Sequence, residues 1–220
     1  MLLVGGSGDF IFGNEGQDVI YGDFGLYDAE VEIWPNQHLA SIVDQAEHGG
    51  PDYLEGNEDD DFLVGGEDND HIVGGDGSDD IIGGHNTRYG VSGHDTLYGN
   101  EMDDVILGDN GDILREVLSI KSEFPWTSYI WKKYPAPFDN EKMRDVRRYD
   151  DIDEIGGHDT IFGGPGNDII HGQRGDDTIF GGPGHDELYG ETGEDTLYGG
   201  DGDDIIIGDV GYVSDLSGVA

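Results

Sequence analysis

Apolar residues in this chain recur at a fixed offset of nine. Residues 163–207 read GGPGNDIIH, GQRGDDTIF, GGPGHDELY, GETGEDTLY and GGDGDDIII without a gap. Positions one and four of each unit are Gly, position six is Asp, and position eight is Ile or Leu. The same frame fits residues 4–12, 13–21, 47–82, 90–98, 99–107 and 154–162, which makes fourteen full units. A flexible linker of similar composition would need no such register. Several Gly residues per unit argue against helix, at about 1 kcal/mol each. The last three positions, as in Thr178-Ile179-Phe180 or Thr196-Leu197-Tyr198, favour a short strand. Side chains alternate faces along a strand, so position eight points one way and positions seven and nine the other. The pattern predicts a core lined by Ile and Leu, from Ile11 to Ile206.

The first six positions form a turn. Gly there permits positive φ and lets backbone carbonyls gather at one place. The position-six carboxylate stands beside them. Each strand and turn reverses the chain, so two units complete one coil and loops 18 residues apart stack on the same side. Asp159, Asp177 and Asp195 then fall in one column, and Asp168, Asp186 and Asp204 in the other.

Charge turns this geometry into chemistry. Among 220 residues there are 40 Gly, 50 Asp plus Glu and only 10 Lys plus Arg, for a net charge of -40. Such a chain repels itself, and it stays unfolded unless something cationic neutralises it. Nucleic acid is not a fitting partner, since it requires a positive footprint. The absence of Cys excludes disulfides and thiolate metal sites. Carboxylate and carbonyl oxygens remain, and these suit Ca²⁺ or Mg²⁺. No stretch approaches the roughly 18 apolar residues of a membrane span. Met1-Leu2-Leu3-Val4 is too short for a signal-peptide core and runs straight into a repeat, so the chain reads as a segment of a longer protein.

The units match Gly-Gly-x-Gly-x-Asp-x-(apolar)-x, and on these residues the chain resembles the RTX family of calcium-binding nonapeptide repeats. The resemblance implies an all-β fold, a right-handed parallel β-roll, holding multiple Ca²⁺ ions. It also implies a ligand set. One loop gives carbonyls from positions two and four plus its Asp; the next loop on that side gives carbonyls from positions one and three plus its Asp. Carried onto this chain, one site takes Gly164, Gly166 and Asp168 with Gly181, Pro183 and Asp186. The next in that column takes Gly182, Gly184 and Asp186 with Gly199, Asp201 and Asp204. The other column has a site at Gln173, Gly175 and Asp177 with Gly190, Thr192 and Asp195. The metal set extends to Asp18, Asp52, Asp61, Asp70, Asp79, Asp95, Asp104 and Asp159, with Gly65, Gly74, Gly99, Gly157 and Gly172. Some units depart from the pattern. Position four carries Ser7, Asp59 and Asp68, and Asp tolerates positive φ better than most residues. Position one is Val4, Glu47 and Glu154 where each array begins, which leaves Asp9 outside the set.

The repeats are expected to form arrays at 1–25, 47–111 and 154–211, separated by insertions at 26–46 and 112–153 and followed by a tail at 212–220. Each array ends alike, at Gly22-Asp23, Gly108-Asp109 and Gly208-Asp209, and Gly83 to Tyr89 reads as a bulged loop. The first insertion alternates over residues 29–34, and residues 37–46 suit a short helix. The second holds Arg115, Lys121, Lys132, Lys133, Lys142, Arg144, Arg147 and Arg148, together with Trp126, Tyr129, Trp131 and Tyr134. Such a patch suits a glycan or protein partner, but aromatics commonly serve packing, and the reading preferred is that it packs back onto the acidic roll with its cations neutralising Asp-rich faces. Zinc-protease, nucleophile-elbow, dinucleotide and EF-hand spacings are all missing. His71, His94, His158 and His185 occupy the variable positions five or seven, as solvated side chains. The expectation is therefore a non-enzymatic calcium-binding structural segment of a larger secreted, extracellular protein, with neighbouring domains of the parent chain as partners. Alternatives are an adhesin or filament segment that recognises through its insertions, and the repeat region of a secreted enzyme or toxin whose active domain lies elsewhere.

Overall fold

The structure, a computed structural model, describes residues 2–3, 8–23, 49–85, 92–115, 144–148 and 156–209. The expectations for residues 29–34 and 37–46, for the aromatic residues 126–134 and for the tail fall outside them.

Every described repeat places its last three positions in a strand, and the strands build two parallel sheets. Successive units alternate between them. The eight-stranded sheet begins with Leu2–Leu3 and then carries the position-eight residues Ile20, Leu63, Ile81, Ile106, Ile170, Leu188 and Ile206. The seven-stranded sheet carries Ile11, Leu54, Ile72, Leu97, Ile161, Ile179 and Leu197. Like positions pair throughout, for example Thr160 with Thr178 and Phe162 with Phe180. Position-eight side chains from both sheets face each other and form one buried cluster, from Ile11 to Leu188, with Leu197 packed against it. This is the all-β parallel roll that the resemblance implies, with the Ile/Leu core that the periodicity predicts.

The arrays join into one pair of sheets. The strand Thr96–Glu101 pairs with Thr160–Phe162 across the second insertion, and Phe10–Asn14 pairs with Tyr53–Glu58 across the first. The reason lies in the count of units. Two, four, two and six units lie between successive interruptions. An even number completes whole coils, so every interruption leaves after a strand of the eight-stranded sheet and returns before one of the other sheet.

The two outer faces differ, and an 18-residue period carries the difference. On the eight-stranded sheet, positions seven and nine are mostly aliphatic. Phe62, Val64, Ile82, Val105 and Leu107 form a second buried cluster there, with Tyr21. It is capped by an antiparallel pair of strands, Gly111–Arg115 with Arg144–Arg148, through Ile113 and Val146. So the described part of the second insertion packs back on the roll. The core is accordingly more than the single Ile/Leu layer expected. On the seven-stranded sheet, Tyr98, Phe162, Phe180 and Tyr198 stack with ring centroids 4.9 Å apart. Rings one coil apart are held at stacking distance by the strand spacing itself.

Candidate metal centre

The position-six carboxylates form two ladders. In one column, Asp52 Oδ1 accepts the backbone N–H of Asp9 at 2.7 Å, and the chain of bonds continues through Asp70, Asp95 and Asp159 at 2.8 Å each. Asp177 and Asp195 complete it at 2.8 and 3.0 Å. In the other, Asp18, Asp61, Asp79, Asp104, Asp168, Asp186 and Asp204 are linked the same way at 2.7–3.1 Å. The sequence separation within a ladder is 18 inside an array and 25, 43 or 64 across an interruption, yet the bond is unchanged. The two columns expected from the repeat are therefore brought together over the whole described roll.

One carboxylate oxygen is consumed by the ladder; the other is not. The Oδ2 atoms of Asp52, Asp70, Asp159, Asp177, Asp186 and Asp195 are buried without a hydrogen-bond partner. Leaving buried oxygens unsatisfied is costly, the more so for a charge. Burial, chiefly, pushes the Asp52 carboxyl up to about 7, Asp70 to about 10, and Asp95 and Asp177 to about 8. Asp159 is raised well above the usual range by burial and then by the neighbouring Asp95 and Asp109.

Position-one Gly gives these oxygens a cradle. A Cβ at Gly163 would collide with Asp168 Oδ2 and meet the carbonyl oxygen of Gly181 at 2.7 Å. Gly56, Gly74, Gly99, Gly172, Gly181, Gly190 and Gly199 would likewise collide with Oδ2 of their own unit's Asp. This requirement is one of space, since none of these glycines has positive φ. Positive φ belongs to positions two and four, as at Gly164, Gly175, Gly182 and Gly202. Asp59 and Asp68 adopt it at position four, as expected. Met102 does so too at φ 78, a fourth departure that the repeat alignment passes over.

The carbonyls implied as ligands at positions one and three already accept backbone N–H groups of the preceding coil. Gly181 and Pro183 accept from Gly164 and Gly166 at 2.8 and 3.1 Å, and Thr192 accepts from Gly175 at 2.9 Å. A carbonyl oxygen has two lone pairs, so each keeps one for an ion. No group of three or more His, Asp or Glu side chains converges among the described residues. The donor set is instead a shared pair of carboxylates amid carbonyls, all hard oxygen, and it fits Ca²⁺.

The array starts need a correction. Position one of the loops leading to Asp52 and Asp159 is not Glu47 or Glu154. A Cβ at Gly22 would collide with Asp52 Oδ2, and one at Gly108 with Asp159 Oδ2. Gly83 stands in the same relation, at 2.5 Å, to Asp95 Oδ2. These glycines, placed above at array ends or in a bulge, open the next loop. The recurring Gly-Asp pair was the signal for this.

A buried polar group on the same side was also not anticipated. Arg148 of the capping strand pair forms an ion pair with Glu191, and His171 Nδ1 lies 2.7 Å from the same carboxylate oxygen. These two partners hold the Glu191 carboxyl below its ordinary range despite burial. Glu191 takes position two of its loop at φ 80. The four histidines at positions five and seven differ: His94, His158 and His185 are exposed and accept backbone N–H groups of neighbouring coils at Nδ1, and His71 stacks on Tyr53.

Parallel strands wound into coils, with two columns of buried carboxylates at the turns, define a metal-binding β-roll. The family of the RTX calcium-binding nonapeptide repeat, whose sequence model spans four copies, matches residues 2–25, 49–84, 89–112, 155–188 and 180–212. That is more than half of the 220 residues, and the chain belongs to this family. Its repeats bind calcium, and several ions are expected here. No curated protein and no solved structure matches the chain. Among the described residues no helix is long and apolar enough to cross a membrane.

Proposed function

We propose that this chain is a calcium-triggered structural segment of a larger secreted protein. It takes ions between same-side loops, and it does no chemistry of its own. The observation that carries the reading is the set of stacked, buried Oδ2 atoms without hydrogen-bond partners. Calcium supplies the positive charge those oxygens call for, and each position-six Asp is shared between the ion before it and the ion after it. Metal-binding free energy then becomes folding free energy. A chain with net charge -40 remains extended where calcium is scarce and folds where it is plentiful, as outside the cell. The second insertion serves the roll first, since its Arg148 and Val146 are spent on Glu191 and on the outer apolar cluster.

Isothermal titration of Asp186→Ala tests the sharing. Asp186 Oδ1 accepts from Asp168, and its own N–H donates to Asp204. The expected result is a loss of roughly two ions, or at least about tenfold weaker binding at two sites. Asp203→Ala, an exposed position-five change, should bind like the parent. Unchanged binding by Asp186→Ala would remove the stacked-site reading.

A further inference from the structure

The two long insertions leave the roll from inside a metal loop, between positions two and three. The first departs after Gly22-Asp23 and returns at Gly49-Gly50-Pro51-Asp52. The second departs after Gly108-Asp109 and returns at Gly156-Gly157-His158-Asp159. The position-two Asp makes the same two bonds in both. Asp23 Oδ1 accepts the N–H of Gly50 at 3.3 Å and Oδ2 that of Glu67 at 2.6 Å. Asp109 Oδ1 accepts from Gly157 at 2.8 Å and Oδ2 from Arg174 at 2.9 Å. In each case one oxygen reaches position four of its own loop, beyond the insertion, and the other reaches position three of the next coil.

The returning residue is shaped to this bond. A Cβ at Gly49 would collide with Asp23 Oδ2 and with Glu67 Cβ, and one at Gly156 would collide with Arg174 Cβ and lie 2.8 Å from Asp109 Oδ2. Unbroken loops hold Glu58, Asp76, Pro165 or Pro183 at position three. The short interruption serves as an internal control. It has Gly84 at position two and Ser92 at position three, so both the carboxylate and the returning Gly are missing.

We propose that Asp23 and Asp109 are clasps that close the metal loops broken by the insertions, so that calcium binding there and fixing of the insertion stems are one event. The inference rests on the calcium reading above. In an unbroken loop the peptide link holds positions two and three together. In a loop broken by a long insertion a carboxylate with two acceptor oxygens does so, bridging N–H groups in two coils with charge-assisted bonds. Each cradle sets a glycine from before the break against oxygens from after it: Gly22 faces Asp52 Oδ2 and the Gly65 carbonyl, and Gly108 faces Asp159 Oδ2 and the Gly172 carbonyl. An ion held there fixes the returning loop against the next coil, and the Asp23 or Asp109 carboxylate ties the outgoing chain to that loop. The other column, running from Asp18 to Asp204, has no breaks and needs no clasp.

Amide hydrogen exchange on the full chain in calcium tests this, with the amides of Gly157 and Arg174 as probes. In Asp109→Ala both should exchange at least about tenfold faster, while the Asp168 and Asp186 amides keep the parent rate. Parent-like exchange at both probes, or an equal rise across the roll, would overturn the clasp. If Asp109→Ala does not fold, Asp159→Asn and Asp168→Asn replace it. The first should loosen Gly157 and Arg174, and the second should not; equal effects would sink the coupling. Failure of the calcium reading has a separate signature, in which the parent chain protects the two probes equally in chelator and in calcium.

Discussion

In chelator at neutral pH the chain is expected to lose most of its far-ultraviolet β signal, and calcium to restore it cooperatively where equal magnesium does not. The sign follows from the carboxylates. Burial raises Asp70 to about 10, Asp95 and Asp177 to about 8, and Asp52 to about 7, all above an unfolded value of 3.8. A group raised in the folded state supports folding below its unfolded pKa and loses that support as pH climbs through the folded one. At neutral pH the metal-free roll therefore holds carboxylates that are either protonated or charged and buried, and both states favour unfolding. Calcium reverses this, because a bound cation makes the ionised form the favoured one. Magnesium is the poorer substitute: it demands a near-octahedral shell at about 2.0–2.1 Å and gives up water reluctantly. A β spectrum that stands in chelator, unchanged by calcium, would mean that the columns hold together without metal.

The second large effect lies in the core. Ile106→Ala is expected to cost about 2–5 kcal/mol, read as a lower melting temperature and a higher calcium midpoint. Ile106 is 0% exposed and pairs in register with Ile81 on one side and Ile170 on the other. Backbone ladders fix the coil spacing on both sides, so the cavity cannot close. Its coil also lies mid-stack, where a weak link divides a nearest-neighbour array. Ile206→Ala is the comparison. That side chain is 48% exposed in the last described coil, and its loss should cost under about 1 kcal/mol. Equal costs at the two sites would contradict a core built from position eight.

Much of the roll could be read from residue types at fixed offsets. Strict Ile or Leu at position eight predicts the inner core, because a strand shows one face per alternate residue and a nine-residue unit returns the same face each time. Strict Asp at position six predicts the two columns for the same reason. The glycines are less transparent. Position one looks like positions two and four in sequence, yet it is small because Oδ2 and a carbonyl occupy the space of its Cβ, not because its backbone is left-handed. Met102 hides in the opposite way, adopting the conformation that a Gly motif leads one to expect only of Gly, Asn or Asp.

The nine-residue frame is local, and so it determined the strands, the turns, the alternating core and the oxygen chemistry of the loops. Tertiary structure alone decided what crosses the interruptions. The recurring Gly-Asp pair hints that Gly22 belongs with Asp52 and Gly108 with Asp159, but stacking against neighbouring coils settles it. The outer apolar cluster, its two-stranded cap and the Arg148–Glu191–His171 group arise likewise, because each joins residues whose spacing along the chain is set by insertions and whose meeting is set by the coil.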